Sequence, residues 1–159
     1  MADSKISALT AATTVALTDT LAIVQSATTK VATFQMVVDA IPTEIQFACS
    51  DETTDLAVAT DVITFRMPYA MTLTEVRASV TTAPTGAAIT VNINQTAATI
   101  LSTKLTIDAT EKTSTTAATP AVISTSALTD DSEITVDIDA IGSTIAGAGL
   151  KVTLIGTRA

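Results

Sequence analysis

Histidine is absent from this chain, and with it go the commonest general base and the commonest protein ligand of zinc and copper. One cysteine, Cys49, can neither close an internal disulfide nor build a thiolate cluster, and it is read as a quietly buried thiol in a strand. Aromatic residues make up 3% of the chain and tryptophan is missing, so any core has to be filled with Ala, Val, Ile and Leu. Basic residues are scarce: 8 Lys and Arg stand against 16 Asp and Glu, for a net charge of −8. None of the basic residues cluster, which argues against a surface for duplex nucleic acid or an anionic membrane, since both need grouped cations to neutralise phosphates. No apolar run approaches the roughly 18 residues of a membrane span. The segment Ala8–Leu17 lacks a charged leader beyond Lys5 and runs into Thr18-Asp19-Thr20 instead of a cleavage-like site, so the chain is expected to be made in a cytoplasm and not exported by the general route.

What is abundant is threonine, at 34 of 159 residues. Its β-branched side chain suits half-solvated pleated faces and fits helix interiors poorly, so the composition favours β-structure. The clearest pattern runs from Val62 to Asn94, where three stretches alternate apolar and polar side chains between turn residues. In the last of them Ile89, Val91 and Ile93 share one side and Thr90, Asn92 and Asn94 the other, and such a flat apolar surface needs a second layer over it. Along Thr72–Thr82 the phase slips, because Leu73 is odd-numbered while Val76, Ala78 and Val80 are even; a β-bulge near Thr74–Glu75 brings all four inward.

Residues 1–43 differ from the rest. Lys5–Leu9 alternates as a short strand, Leu21–Gln25 forms a second, and Thr33 can cap a short helix over Phe34–Ile41 that Pro42 stops. Within that helix Phe34, Val37, Val38 and Ile41 make one apolar stripe, which meets either a partner or the chain's own β-domain. Two short strands and two helical turns cannot close a core alone, so this arm is expected to dock on something.

The phrases Lys5-Ile6-Ser7-Ala8-Leu9, Leu21-Ala22-Ile23-Val24-Gln25 and Thr28-Thr29-Lys30 resemble the N-terminal leader of tailed-phage virion proteins, particularly fibres and head-attached proteins. The stretch Phe65-Arg66-Met67-Pro68-Tyr69-Ala70-Met71-Thr72-Leu73 resembles β-sandwich domains of the same group. The resemblance implies that the leader attaches to the particle through Ile6, Leu9, Leu21, Ile23, Phe34, Val37, Val38 and Ile41, that the β-domain faces outwards, and that the chain is a homotrimer in a virion, bound to the major capsid protein or other virion proteins.

From residue 44 the β-domain begins. Ile45–Cys49, Val62–Met67, Leu105–Ile107, Glu133–Asp139 and Leu150–Ile155 read as strands, with briefer pairing at Ile100-Leu101 and Val122-Ile123. Asp108–Pro120, nearly all Ala, Thr, Ser and charge, reads as a long exposed connection crossing between sheets, as in a Greek key or jelly roll. The expected fold is mainly β: an attachment arm with short strands and one short helix over residues 1–43, then a jelly-roll-like β-sandwich over residues 44–159.

Candidate chemistry is thin. No nucleophile elbow and no phosphate-cradling glycine loop occurs, and the chain is not expected to be an enzyme or to hold a cofactor. Asp137 and Asp139 share a strand face about 7 Å apart, a spacing that invites comparison with glycosidase carboxylates but suits a solvated outer face better. Asp130, Asp131 and Glu133 could gather calcium, although no matching loop spacing accompanies them. Tyr69 beside Arg66 could stack on a sugar, and a corner residue next to Pro68 accounts for it equally. The expected function is a capsid decoration, cement or head-fibre protein; the alternatives are a tail-fibre or tail-adaptor component, or a carbohydrate-binding module that recognises the host surface.

Overall fold

A computed structural model describes residues 14–159. The chain divides into two compact units, the first ending at Ala40 and the second spanning Ile41–Ala159. The strand expected at Lys5–Leu9 lies outside the described residues.

In the first unit β1 (Thr20–Gln25) pairs antiparallel with β2 (Thr28–Thr33), from Thr20 opposite Thr33 to Gln25 opposite Thr28. The connecting Ser26 and Ala27 both have positive φ, 53° and 59°, the two-residue turn whose twist matches that of a hairpin. Helix α1 (Phe34–Asp39) follows, and Thr33 caps it by accepting the Met36 N–H at 3.2 Å. It ends two residues earlier than Ile41, because Pro42 disfavours helical geometry at the residue before it. The segment before β1 ties the helix start down: Phe34 donates its N–H to the Asp19 carbonyl at 2.8 Å and Gln35 to that of Leu17 at 2.9 Å.

The second unit is mainly β, with antiparallel sheets. Its long strands are β3 (Pro42–Ala48), β4 (Ala59–Arg66), β5 (Met71–Ser79), β6 (Ile89–Gln95), β12 (Glu133–Ala140) and β13 (Lys151–Arg158). Between β6 and β12 lie five short ones: β7 (Ala98–Thr99), β8 (Leu101–Thr103), β9 (Leu105–Ile107), β10 (Val122–Ile123) and β11 (Ala127–Leu128). One sheet runs β11-β5-β13-β3, a second runs β4-β12-β6-β7 with β9 also on β6, and β8 pairs with β10. Alternation sends Leu73, Val76, Val152 and Leu154 from the first sheet, and Ile89, Val91, Ile93, Ile134 and Val136 from the second, into a single buried cluster. Each such side chain withdrawn from water contributes roughly 1.5–3 kcal/mol, an upper figure because the unfolded chain already hides some of its surface.

The phase slip in β5 is a bulge. Ile155 pairs with Glu75 but Gly156 pairs with Leu73, leaving Thr74 as the extra residue, and its hydroxyl donates to the Ile155 carbonyl at 3.1 Å. Leu73, Val76, Ala78 and Val80 are all buried as a result. Opposite the bulge Gly156 is obligatory on space alone, since a Cβ there would run into the Thr72 carbonyl oxygen and lie 3.0 Å from the Leu73 Cα.

The 108–120 connection leads from β9 to β10, and on the way it lies against β5 of the other sheet, so it is not a free loop. Val80 donates its N–H to the Lys112 carbonyl at 3.0 Å, Ala78 donates to the Ser114 hydroxyl at 2.8 Å, and a short 3-10 turn covers Ser114–Thr116. An unpaired β5 edge is thereby capped, which is what a sheet needs to avoid pairing with foreign strands. On the side of β3 and β4, the edge strands of the two sheets, Phe47 and Phe65 meet with ring centroids 4.9 Å apart. Among the described residues no helix is long and apolar enough to cross a membrane.

Candidate functional site

The residues expected to attach the arm fall into two groups. Ile6 and Leu9 lie outside the described residues. Leu21 and Ile23 sit on β1 and share one hairpin face, while Phe34, Val37 and Val38 lie on α1 with Ile41 just beyond it. No residue of α1 is buried, and Leu21, Ile23, Val37 and Ile41 are all exposed. Phe34 and Val38 are half-buried, so the stripe is covered only in part. Sequence reasoning missed Val24, Val31 and Met36, which are more exposed still: Val24 and Val31, on the opposite hairpin face, keep 76% and 67% of their surface open. Among the described residues, nine of the twelve large exposed hydrophobic side chains lie between Val15 and Ile41. They lie on the segment before β1, on the hairpin, on α1 and at Ile41.

The second unit presents a different surface on the outer face of the β4-β12-β6 sheet. Alternation assigns Asn92, Asn94, Thr135 and Asp137 to that face, yet Asn92, Asn94 and Thr135 are buried. They are joined in a relay: the Thr99 hydroxyl donates to Asn92 Oδ1 at 2.6 Å, Asn92 Nδ2 to Asn94 Oδ1 at 2.8 Å, and Asn94 Nδ2 to Asp137 Oδ2 at 2.8 Å. The Asp61 N–H completes it by donating to Asp137 Oδ1 at 2.9 Å, from a residue held at φ 51°. Beside this relay is a shallow cavity of about 370 Å³, lined by Thr60, Asp61, Asn94, Glu133, Thr135 and Asp137 among others.

Desolvation raises the Asp137 pKa, but hydrogen bonds from Asp61, Asn94 and Asn92, with the Lys104 charge nearby, outweigh it and hold the carboxyl below its ordinary value. That direction is the reverse of what a general acid needs. Asp139 is committed elsewhere, to Lys104 at 2.9 Å. The relay thus holds the Asp137 carboxylate, while Lys104 pairs with Asp139 and also favours the charge on Asp137.

The remaining candidates are likewise taken up locally. Glu133 faces Arg66 at 3.5 Å, Arg66 also donates to the Asp131 carbonyl at 3.0 Å, and among the described residues no three acidic, histidine or cysteine side chains converge as a metal would require. Arg158 lies over one face of the Tyr69 ring, its guanidinium carbon 4.0 Å from the centroid, a cation–π contact. Asp51, in the exposed loop after β3, accepts the N–H groups of Thr54 at 2.7 Å and Thr53 at 2.9 Å, and these bonds pull its pKa down to about 2. Cys49 is buried, and desolvation pushes its thiol up to about 12.

No family model, no curated protein and no solved structure matches the chain.

Proposed function

We propose that the chain is a structural component of a bacteriophage virion, a capsid decoration, cement or head-fibre protein whose arm binds the assembled shell and whose β unit, a sandwich of jelly-roll type, faces outwards. The observation that carries this reading is the uneven distribution of exposed apolar surface: it is concentrated between Val15 and Ile41, whereas the second unit encloses its own core. A unit with a closed core needs no partner, while a hairpin and a short helix with open apolar faces gain stability only by burying them. The resemblance of the leading phrases to phage virion leaders supplies the kind of partner. The mechanism is mechanical: apolar arm surface buried against shell subunits favours the assembled state by mass action. One core fed by two sheets, with the β9–β10 connection laid along the β5 edge of the facing sheet, supports the sandwich and the jelly-roll reading of it.

The test is to locate a gold- or antibody-labelled protein in intact particles and to sediment the purified protein with shells lacking tails. Label over the head together with co-sedimentation is the expected result, and a Val37→Lys, Ile41→Lys double variant should lose the co-sedimentation. Label confined to the tail, with no binding to tailless shells, overturns the head assignment in favour of a tail-fibre or tail-adaptor part.

A further inference from the structure

One side of the second unit ends in two bare sheet edges. β3 closes the sheet of β5 and β13, β4 closes the sheet of β12 and β6, and each is paired on one side only. Register fixes which backbone groups are left over. Cys49 donates its N–H to the Leu150 carbonyl and Met67 donates to that of Ser132, both towards the sheet interior. Counting back by alternation, Glu44, Gln46 and Ala48 on β3, and Val62, Thr64 and Arg66 on β4, direct their N–H and C=O groups outwards. None of these six backbones has an outward partner among the described residues. We infer that a second copy of this chain pairs with both edges at once, β3 on β3 and β4 on β4, across one twofold axis normal to the sheets. Each sheet then runs on from one copy into the next. The inference concerns the second unit alone, does not rest on the virion reading, and departs from the threefold assembly that the leader resemblance implies.

The side chains select a second copy, and one register. Antiparallel pairing about Gln46 sets Gln46 against itself and Glu44 against Ala48; pairing about Thr64 sets Thr64 against itself and Arg66 against Val62. All six outward backbones are then bonded and no like charges meet. On the inner faces the same registers put Ile45 opposite Phe47 and Ile63 opposite Phe65, each twice, which are the aromatic and β-branched pairs that stabilise neighbouring strands. These four side chains pack on the core yet are only half-buried in one chain, so pairing covers apolar surface that a single copy leaves open. Both registers also share an axis. Phe47 and Phe65 stand one position beyond Gln46 and Thr64, and their ring centroids lie 4.9 Å apart, so the two centres are level with each other across the sheets. Neither edge is defended over this stretch: Pro42 and the irregularity at Asp61 lie at the strand ends and no Lys is present, whereas the β5 edge is capped by residues 112–114. A foreign strand could use the bare backbone, but only a copy reproduces the side-chain match on both edges together.

The full-length chain is examined by sedimentation equilibrium and native mass spectrometry. The wild type is expected at two chain masses at ~100 µM. Gln46→Lys and Gln46→Glu each set like charges against one another on the axis and should raise the dissociation constant about tenfold or more. An equimolar mixture of the two should restore the two-chain mass, because Lys then faces Glu. Thr64→Lys should weaken association in the same way although it lies on the other sheet, and Val31→Glu on the hairpin should leave the mass unchanged. All three positions are exposed, so the far-ultraviolet circular dichroism of every variant should match the wild type. Under mild oxidation Gln46→Cys should cross-link into a covalent pair of chains, whereas Thr153→Cys, on the inner strand β13, should not. A wild type that stays monomeric at that concentration, a Gln46→Lys chain that keeps the wild-type affinity, or a mixture no tighter than its components overturns the inference. Weakening by Gln46→Lys without weakening by Thr64→Lys overturns the shared axis. Shell binding is a separate readout, so a two-chain protein that ignores shells refutes only the attachment reading, and a monomer that decorates shells refutes only this one.

Discussion

Replacing Gly156 by alanine adds one methyl group to β13, and the expected cost is large for so small a change. The backbone at Gly156 has no positive φ, so the penalty is not conformational; it comes from the Thr72 carbonyl, whose carbon would lie 2.9 Å from the new Cβ. The obstacle is main chain, not the tip of a flexible side chain, and Gly156 pairs with Leu73 on one side and Thr43 on the other, so β13 cannot slide away from β5 without pressing on β3. Overpacking of a rigid interior costs about 1–3 kcal/mol, and with neither neighbour free to yield the upper end of about 3 kcal/mol applies. In a unit of this size each kcal/mol lowers Tm by about 3–5 °C, so Gly156→Ala should melt roughly 10 °C below the wild type in a calorimetric scan of the intact protein. Ile155→Ala, next along the strand and half-buried, serves as a comparison that removes contacts without creating a clash. A Gly156→Ala protein melting within a degree or two of the wild type would refute the claim that the bulge leaves no room for a Cβ.

Val136 is fully buried on β12, so Val136→Asp places an unpaired carboxylate in the core and should yield insoluble protein; a soluble variant with a cooperative melt contradicts the strand assignment. Asp51 titrates lower in the folded chain than its ordinary 3.8, at about 2, so the stability it lends is complete above that ordinary value and is lost as pH falls through the folded one; Asp51→Asn should flatten the Tm-against-pH curve between those limits, and an unchanged slope argues against the turn. Thr96 and Ala97 form the β6–β7 turn with positive φ, 49° and 64°, and Ala97→Gly should stabilise the protein by about 1 kcal/mol, seen as a Tm rise of a few degrees, since glycine adopts that geometry without a Cβ penalty. A fall in Tm would mean the Ala97 side chain makes contacts that outweigh the strain.

How far the sequence revealed this fold differs from element to element. The bulge at Thr74 was readable because a two-residue period that slips by one can be repaired only by one extra residue. β12 and β13 were readable because their alternation is unbroken. Strand β2 was not, since only Val31 and Ala32 are apolar in Thr28–Thr33 and the Ser26-Ala27 turn lacks the Gly or Asn that usually marks a hairpin. The Asn92–Asn94–Asp137 relay stayed hidden for another reason. Alternation places these residues on an outer face, and an outer face is normally wet; what encloses them is local tertiary structure, including Thr99 on β7 folding back over β6, which periodicity does not encode. Likewise Arg158 reaches Tyr69 from the far end of the chain, a pairing that no local pattern announces. The arm was legible in its poverty of core, but its second apolar face was not, because the strand that completes it was overlooked.

The position of β13 has a consequence for how the chain is made. It lies between β3 and β5 and is their only shared neighbour, yet among the strands of that sheet it is the last to be synthesised, with Ile45 waiting for Leu154. Until translation passes residue 158 the earlier strands have no template to register against, so the sheet closes late, by long-range search, and its folding is slow compared with that of a protein built from sequence neighbours. A ribosome that stalls between β12 and β13 would release a chain with two open strand edges, the kind of species that aggregates or is degraded before it can join any assembly.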